Sequence, residues 1–176
     1  MFLKIVIGAA VVLALFLGYV STREGKFNYE RSVVLNATPE KIFPYLSNFK
    51  LGKEWNPYDN VDPNMKRNFV GPIDQVGGKL EFDGNNQAGS GSLEFTKIVP
   101  NESVDMKLIM TKPVHAENMI HYQLTPEASG TRFSWSMSGD GGFVGKLINV
   151  FIDCEKMITD QFEAGFKNLK PIVEKQ

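Results

Sequence analysis

Apolar and polar positions divide the chain into three stretches with different periods. Residues 2–20, FLKIVIGAAVVLALFLGYV, hold one charge, Lys4, and no polar face. At about 1.5 Å per residue this run is roughly 28 Å long, close to the ~30 Å hydrocarbon core of a bilayer. Between Asn64 and Ser138 large apolar residues recur at alternate positions, the period of half-buried strands. From Phe143 onward Leu147, Ile148, Phe151, Ile158, Phe162, Phe166 and Leu169 return at three- and four-residue steps. That spacing predicts one long amphipathic helix over 143–169, with Pro171 just beyond its end.

The strands and short helices can be placed individually. Phe27–Leu35 predicts the first strand. Thr38-Pro39-Glu40 follows as a helix start, with Thr as cap, Pro in the first turn and Glu at the positive end of the dipole. Ile42, Phe43 and Leu46 form the short apolar face, and Ser47-Asn48 breaks it. Phe49–Glu54 predicts a second short helix, ended by Asn56-Pro57. Further strands are expected over Met65–Val70, Gly78–Phe82, Ser90–Val99, Ser103–Thr111, Val114–Leu124 and Thr131–Ser138. Asp83-Gly84-Asn85-Asn86 marks a hairpin, and Pro126–Gly130 marks the last turn. The short connections predict antiparallel pairing. The fold class is therefore α+β: a curved antiparallel sheet of about seven strands around a long C-terminal helix, with two short helices after the first strand.

The apolar run at the start stands apart from that domain. Residues 1–20 are expected as a transmembrane anchor, 21–26 as a polar linker, and 27–176 as the folded domain. A cleaved signal peptide is the competing reading, but GYVSTREG offers no A-x-A-like site. Basic residues alone (Lys4 against Arg23, Lys26 and Arg31) favour an inside domain. A short tail before an apolar run favours an extracytoplasmic one, and this is the orientation preferred here.

Composition narrows the partners. Lys+Arg is 19 and Asp+Glu is 20, so no basic surplus points to nucleic acid. One cysteine, Cys154, precludes an intrachain disulfide and has no C-x-x-C partner. His115 and His121 are placed on one strand, about 20 Å apart and too far to share a metal. Asp59, Asp62 and Asp74 do not fit a calcium loop and read as turn acids. No metal, nucleotide or other cofactor is expected, and no residue is assigned a catalytic role.

Several motifs carry a family resemblance: Arg31-Ser32-Val33, Ala37-Thr38-Pro39-Glu40-Lys41-Ile42-Phe43, Trp55-Asn56-Pro57-Tyr58, Pro100-Asn101-Glu102 and Gly130-Thr131-Arg132-Phe133-Ser134-Trp135. In this order, with the tail through Leu169-Lys170, the chain resembles polyketide cyclase/dehydrase-like members of the helix-grip (SRPBCC) superfamily, which also holds START and pollen-allergen-like carriers. The resemblance spans about Tyr29–Lys170 and implies a cup closed by the long helix.

A cup implies a lined interior. The expected ligand-facing residues are Phe43, Leu46, Trp55, Phe82, Phe95, Met106, Leu108, Asn118, Ile120, Tyr122, Phe133, Trp135, Met157, Ile158 and Phe162. Among them Asn118, Tyr122 and Trp135 are the polar handles able to orient a guest by hydrogen bonding. The same residues also read as ordinary core. The functional expectation is membrane-tethered binding of an apolar or amphipathic small molecule, lipid or polyketide-like. The alternatives are a cyclase or dehydratase, which needs a His or carboxylate on the cavity wall, and a regulatory module that docks a protein.

Overall fold

The computed structural model describes residues 2–175; positions 1 and 176, the outermost of the expected anchor and domain, lie outside them. Helix α1 (Phe2–Ser21) is followed by strand β1 (Lys26–Leu35), helices α2 (Pro39–Leu46) and α3 (Phe49–Gly52), and a 3-10 turn over Pro57–Asn60. Strands β2 (Lys66–Val70), β3 (Lys79–Asp83), β4 (Ser90–Val99), β5 (Ser103–Lys112), β6 (Ala116–Glu127) and β7 (Gly130–Asp140) come next. Helices α4 (Gly142–Phe151) and α5 (Cys154–Val173) complete the chain.

All seven strands join one antiparallel sheet in the order β1-β7-β6-β5-β4-β3-β2. Every neighbour after the first pair is a sequential hairpin, and β1 closes against β7. The β4–β5 register shifts at Ser90/Gly91 and between Phe95 and Lys97. Such bulges bend and twist a strand, which curls the sheet. Pro126 lies inside β6 rather than in the turn, opposite Thr131 of β7. It is tolerated because β5 pairs with β6 only as far as Gln123, leaving that edge of β6 without a neighbour to bond.

Alternation sets the two faces. On β7 Thr131, Phe133, Trp135 and Met137 are buried, and on β6 Ile120, Tyr122 and Leu124 share that face. The other face carries cross-strand ion pairs, Lys79 with Glu94 at 3.0 Å, Lys107 with Glu117 at 2.7 Å and Arg132 with Glu127 at 2.6 Å, and a cross-strand contact of His121 Nδ1 with the Asp105 carboxylate. His121 is thus solvent-facing; His115 lies in the turn before β6, not on the strand.

The short helices stand close to where their signals put them. Thr38 occupies the cap position of α2 and Pro39 the first turn, but the Thr38 side chain makes no capping hydrogen bond. Asn48 caps α3, accepting from Lys50 N at 2.9 Å and Leu51 N at 3.4 Å. Trp55 follows, its Nε1 donating to the Tyr45 carbonyl at 2.8 Å and its own carbonyl accepting from Asn168 Nδ2 at 3.0 Å. The first bond ties Trp55 back to α2, and the second ties the segment across to α5.

The single helix expected over 143–169 is two. Ile152 is extended (φ −126°, ψ 129°), and the Asp153 carboxylate accepts from Lys156 N at 2.9 Å, starting α5 afresh. Pro171 falls within the last turn of α5 rather than after it. The stripe is split accordingly: Phe162, Phe166 and Leu169 are buried under α5, while Phe151 is exposed at the end of α4. Gly165 lets α5 approach closely, because a Cβ there would stand 2.8 Å from Trp135 Cζ3 and 3.2 Å from Trp55 Cζ3.

Helix α1, 20 residues with Lys4 as its one charge, is long and apolar enough to cross a membrane. Among the described residues it touches the rest of the protein through its last turns, where Val20 is fully buried. The polar stretch expected as a linker shortens to Thr22–Gly25, between α1 and β1.

Candidate functional site

The interior between sheet and α5 is a cluster of aromatic rings. Trp135 stacks on Phe162 (centroids 4.4 Å, 22° between planes) and meets Trp55 edge-on at 5.4 Å and Tyr122 at 5.3 Å. Phe133 bridges Tyr122 at 5.5 Å and Phe166 at 5.3 Å. Alternation on β6 and β7 aims Tyr122, Phe133 and Trp135 inward, and register pairs Tyr122 with Trp135 directly. Helical spacing on α5 brings Phe162 and Phe166 onto them. Edge-to-face and offset-stacked contacts of this kind add to area burial.

Beside this cluster lies a cleft of about 30 Å³ between the α2–α3–3-10 segment and strands β3–β6. Its walls are Tyr45, Leu46, Phe49, Trp55, Leu80, Leu93, Met106 and Tyr122, and Asn48, Asn56 and Asp59 add polar groups. Phe49 stacks on Phe95 at 4.0 Å to close one side. The volume matches that of one water molecule.

The expected lining residues divide by place. Leu46, Trp55, Met106 and Tyr122 border the cleft. Phe95, Ile120, Phe133, Trp135 and Phe162 lie in the buried cluster, with Phe43, Leu108 and Ile158 half-buried against it. Phe82 is half-buried on the Leu80 face of β3. Met157 is misplaced in that set: it is 55 % exposed, because Ile158, Thr159 and Phe162 are the positions of α5 that turn toward the sheet. The three polar handles do not converge. Tyr122 and Trp135 meet, but Asn118 lies four residues back along β6, roughly 13 Å away at strand rise, opposite Gly139. Trp135 Nε1 is buried without a hydrogen-bond partner, an orphan donor in an apolar setting. Such a group costs free energy until an acceptor reaches it.

The carboxylate at the cleft is Asp59, which the sequence reading placed among turn acids. It sits in the 3-10 turn whose cap is Asn56, the Asn56 side chain accepting from Tyr58 N at 3.1 Å. Arg67 of β2 holds it twice: Nε donates to Asp59 Oδ1 at 3.0 Å and Nη2 to the Asp59 carbonyl at 2.6 Å. Burial pushes the Asp59 carboxyl above its ordinary range, and the Arg67 hydrogen bond and charge only partly offset this. Burial likewise raises the neighbouring Tyr58 and Tyr122 hydroxyls. Signals for Asp59 existed only in part: Asn56-Pro57 announced a turn, but its fold-back onto the cleft depends on Arg67, eight residues later on β2.

The sign of the Asp59 shift fixes a pH dependence. A folded-state value above the unfolded one means the fold takes up the proton more readily. The stability this contributes is whole below the normal carboxylate value of about 4 and is lost as pH rises through the raised value. Thermal melts from pH 4 to 7 should therefore show the stability of the native protein falling relative to Asp59→Asn as pH increases. A constant difference across that window would mean that Asp59 is not desolvated as the cleft geometry implies.

Comparison with known proteins agrees with this fold. A family model described as polyketide cyclase / dehydrase and lipid transport matches residues 26–174. Among solved structures, a protein from Chromobacterium violaceum aligns with TM-score 0.60 at 16 % identity, covering 86 % of this chain and 99 % of its own. A protein from Mesorhizobium loti aligns with TM-score 0.63 at 16 % identity, covering 84 % and 97 %. A dimeric protein from Colwellia psychrerythraea, determined in solution, aligns with TM-score 0.60 at 21 % identity, covering 84 % and 96 %. At these identities the likeness is one of fold. Comparison with curated proteins returned no match.

Proposed function

Because the chain belongs to the polyketide cyclase/dehydrase and lipid transport family, we propose that it is a membrane-tethered carrier of an apolar or amphipathic small molecule, lipid or polyketide-like. Helix α1 is the tether, residues 27–176 are the binding domain, and that domain lies on the extracytoplasmic side. The observation that carries the reading is the cleft beside Trp55, with apolar walls and a few polar groups from one short segment. That is the pattern of a small-molecule site, in which apolar surface supplies affinity and a few polar groups fix orientation. The orphan Trp135 donor in the adjoining cluster supports it, since a guest whose carbonyl or carboxyl extends from the cleft between those rings would satisfy that N–H. With room for one water, the cleft must widen to admit a guest.

Native mass spectrometry of the full chain, released from detergent with palmitic acid added, tests this. The expected spectrum shows one bound acid, and the bound form disappears in Met106→Trp, which fills the cleft. Leu93→Trp, at a half-buried wall position, serves where Met106→Trp perturbs circular dichroism. The same adduct in the native protein and in a folded Trp variant would place binding elsewhere, and no adduct in either would end the carrier reading.

One observation favours a second reading. Asp59 supplies the cleft-wall carboxylate that a cyclase or dehydratase needs as general base, with a proton affinity raised by burial. In that case Asp59→Asn retains the palmitic acid adduct and loses turnover of a poly-β-keto thioester.

A further inference from the structure

We infer that α4 and its junction with α5 dip into the same bilayer that α1 spans, giving the protein a second, shallow membrane contact; this rests on the tether reading above. The packing of α4 against α1 carries it. Lys146 Nζ donates to the Ser21 carbonyl at 3.2 Å, and the Phe151 ring lies 6.1 Å from that of Phe16. Moving along α4 from Lys146 to Phe151 thus means moving back along α1 from Ser21 to Phe16. The two helices run antiparallel, and five residues of α1 correspond to roughly 7.5 Å of depth.

The polar end of α1 fixes the level. The Arg23 guanidinium lies 4.9 Å over the Tyr19 ring and donates to the Tyr19 hydroxyl at 2.6 Å. A tyrosine and a cation at the end of an apolar helix settle in the headgroup zone. Phe16 is then already at the acyl boundary, and Phe151 is held there with it. The exposed side chains around the junction agree: Phe151 is 73 % and Ile152 50 % exposed, with Met157 close behind on α5. Asp153 and Glu155 open α5 immediately after the turn, which limits the dip to the 5–10 Å typical of interfacial elements. Glu24, Lys26, Asp140 and Lys146 gather in one polar hollow beside that level, as suits the headgroup zone.

Spin labels on the full chain in phosphatidylcholine nanodiscs test this. A Cys154→Ser background carries single cysteines at Ala9, Phe151, Ile152 or His115. Power saturation with oxygen and with a water-soluble nickel chelate should place 9, 151 and 152 in lipid, with 151 and 152 shallower than 9, and 115 in water. Labels at 151 and 152 that behave like 115, while 9 remains in lipid, overturn the second contact and leave the tether standing. A label at 9 that behaves like 115 overturns the tether itself. Labels at 151 and 152 shielded from both reagents, or spin coupling between two copies in one disc, would show a protein surface on the patch and also overturn the inference.

Discussion

Phe162→Asp abolishes the folded state of the domain, whereas Asp160→Ala, two residues earlier, is nearly silent. Phe162 is 1 % exposed and stacked on Trp135. Truncating a buried Phe alone costs about 3–5 kcal/mol. A carboxylate placed against the Trp135 indole adds a desolvation penalty. Together these approach the ~5–15 kcal/mol that holds a typical domain together. Asp160 makes only an exposed ion pair with Lys156 at 2.6 Å. Such pairs are worth about 0–1 kcal/mol. Circular dichroism melts of both variants decide it. A Phe162→Asp protein that melts like the native one would mean that α5 does not close the cup.

Arg67→Met is the second large effect, and its cause is electrostatic. The Arg67 guanidinium is the only ion-pair partner of Asp59 among the described residues, and both side chains are mostly buried, at 15 % and 13 % exposure. Removing one member of a buried pair leaves the other charged and unsolvated, at a cost of roughly 3–5 kcal/mol. The double variant Arg67→Met/Asp59→Asn should recover a large part of that loss, since no charge is then stranded. Lower pH should rescue the single variant in the same way, by protonating Asp59. Chemical denaturation at pH 7 and pH 5 measures both. Equal losses in the single and double variants, independent of pH, would show that Arg67 acts through packing alone.

How much of this was legible beforehand follows the range of the interactions. The strands were readable because alternation is local. Phe133, Trp135 and Met137 announce the buried face of β7 without reference to the rest of the chain, and Ser90–Val99 coincides with β4. The break between α4 and α5 also had a local signal, overridden by the apolar stripe: Asp153 followed by Glu155 is a helix start in mid-run. Met157 adjoins Ile158 of the stripe, but neighbouring helical residues stand about 100° apart, which turns Met157 outward.

The site was less accessible for a different reason. Trp55, Tyr122, Trp135 and Phe162 were recognisable as large apolar groups on the right faces, yet their meeting depends on strand order and on where α5 crosses. Asp59 was overlooked because its environment is made by residues distant in sequence, and a turn acid at the surface has the same local pattern. Asn118 has the right face but the wrong height along β6, and alternation does not report height.

Gly165 has a consequence for how the cup can open. With the Trp135 and Trp55 rings filling the space that a Cβ at Gly165 would need, the helix is keyed to the two indoles like a notch on a ratchet. Sliding α5 by one turn would carry Gln161 or Leu169 into that notch, where not even a methyl group fits. The helix therefore cannot act as a piston, and access to the interior has to come from the opposite wall. That wall is the short segment from Pro39 to Asn60, built of brief helical turns and held to α5 by the Asn168–Trp55 hydrogen bond. On the carrier reading proposed above, a guest would enter by lifting this flap and leave the long helix in register.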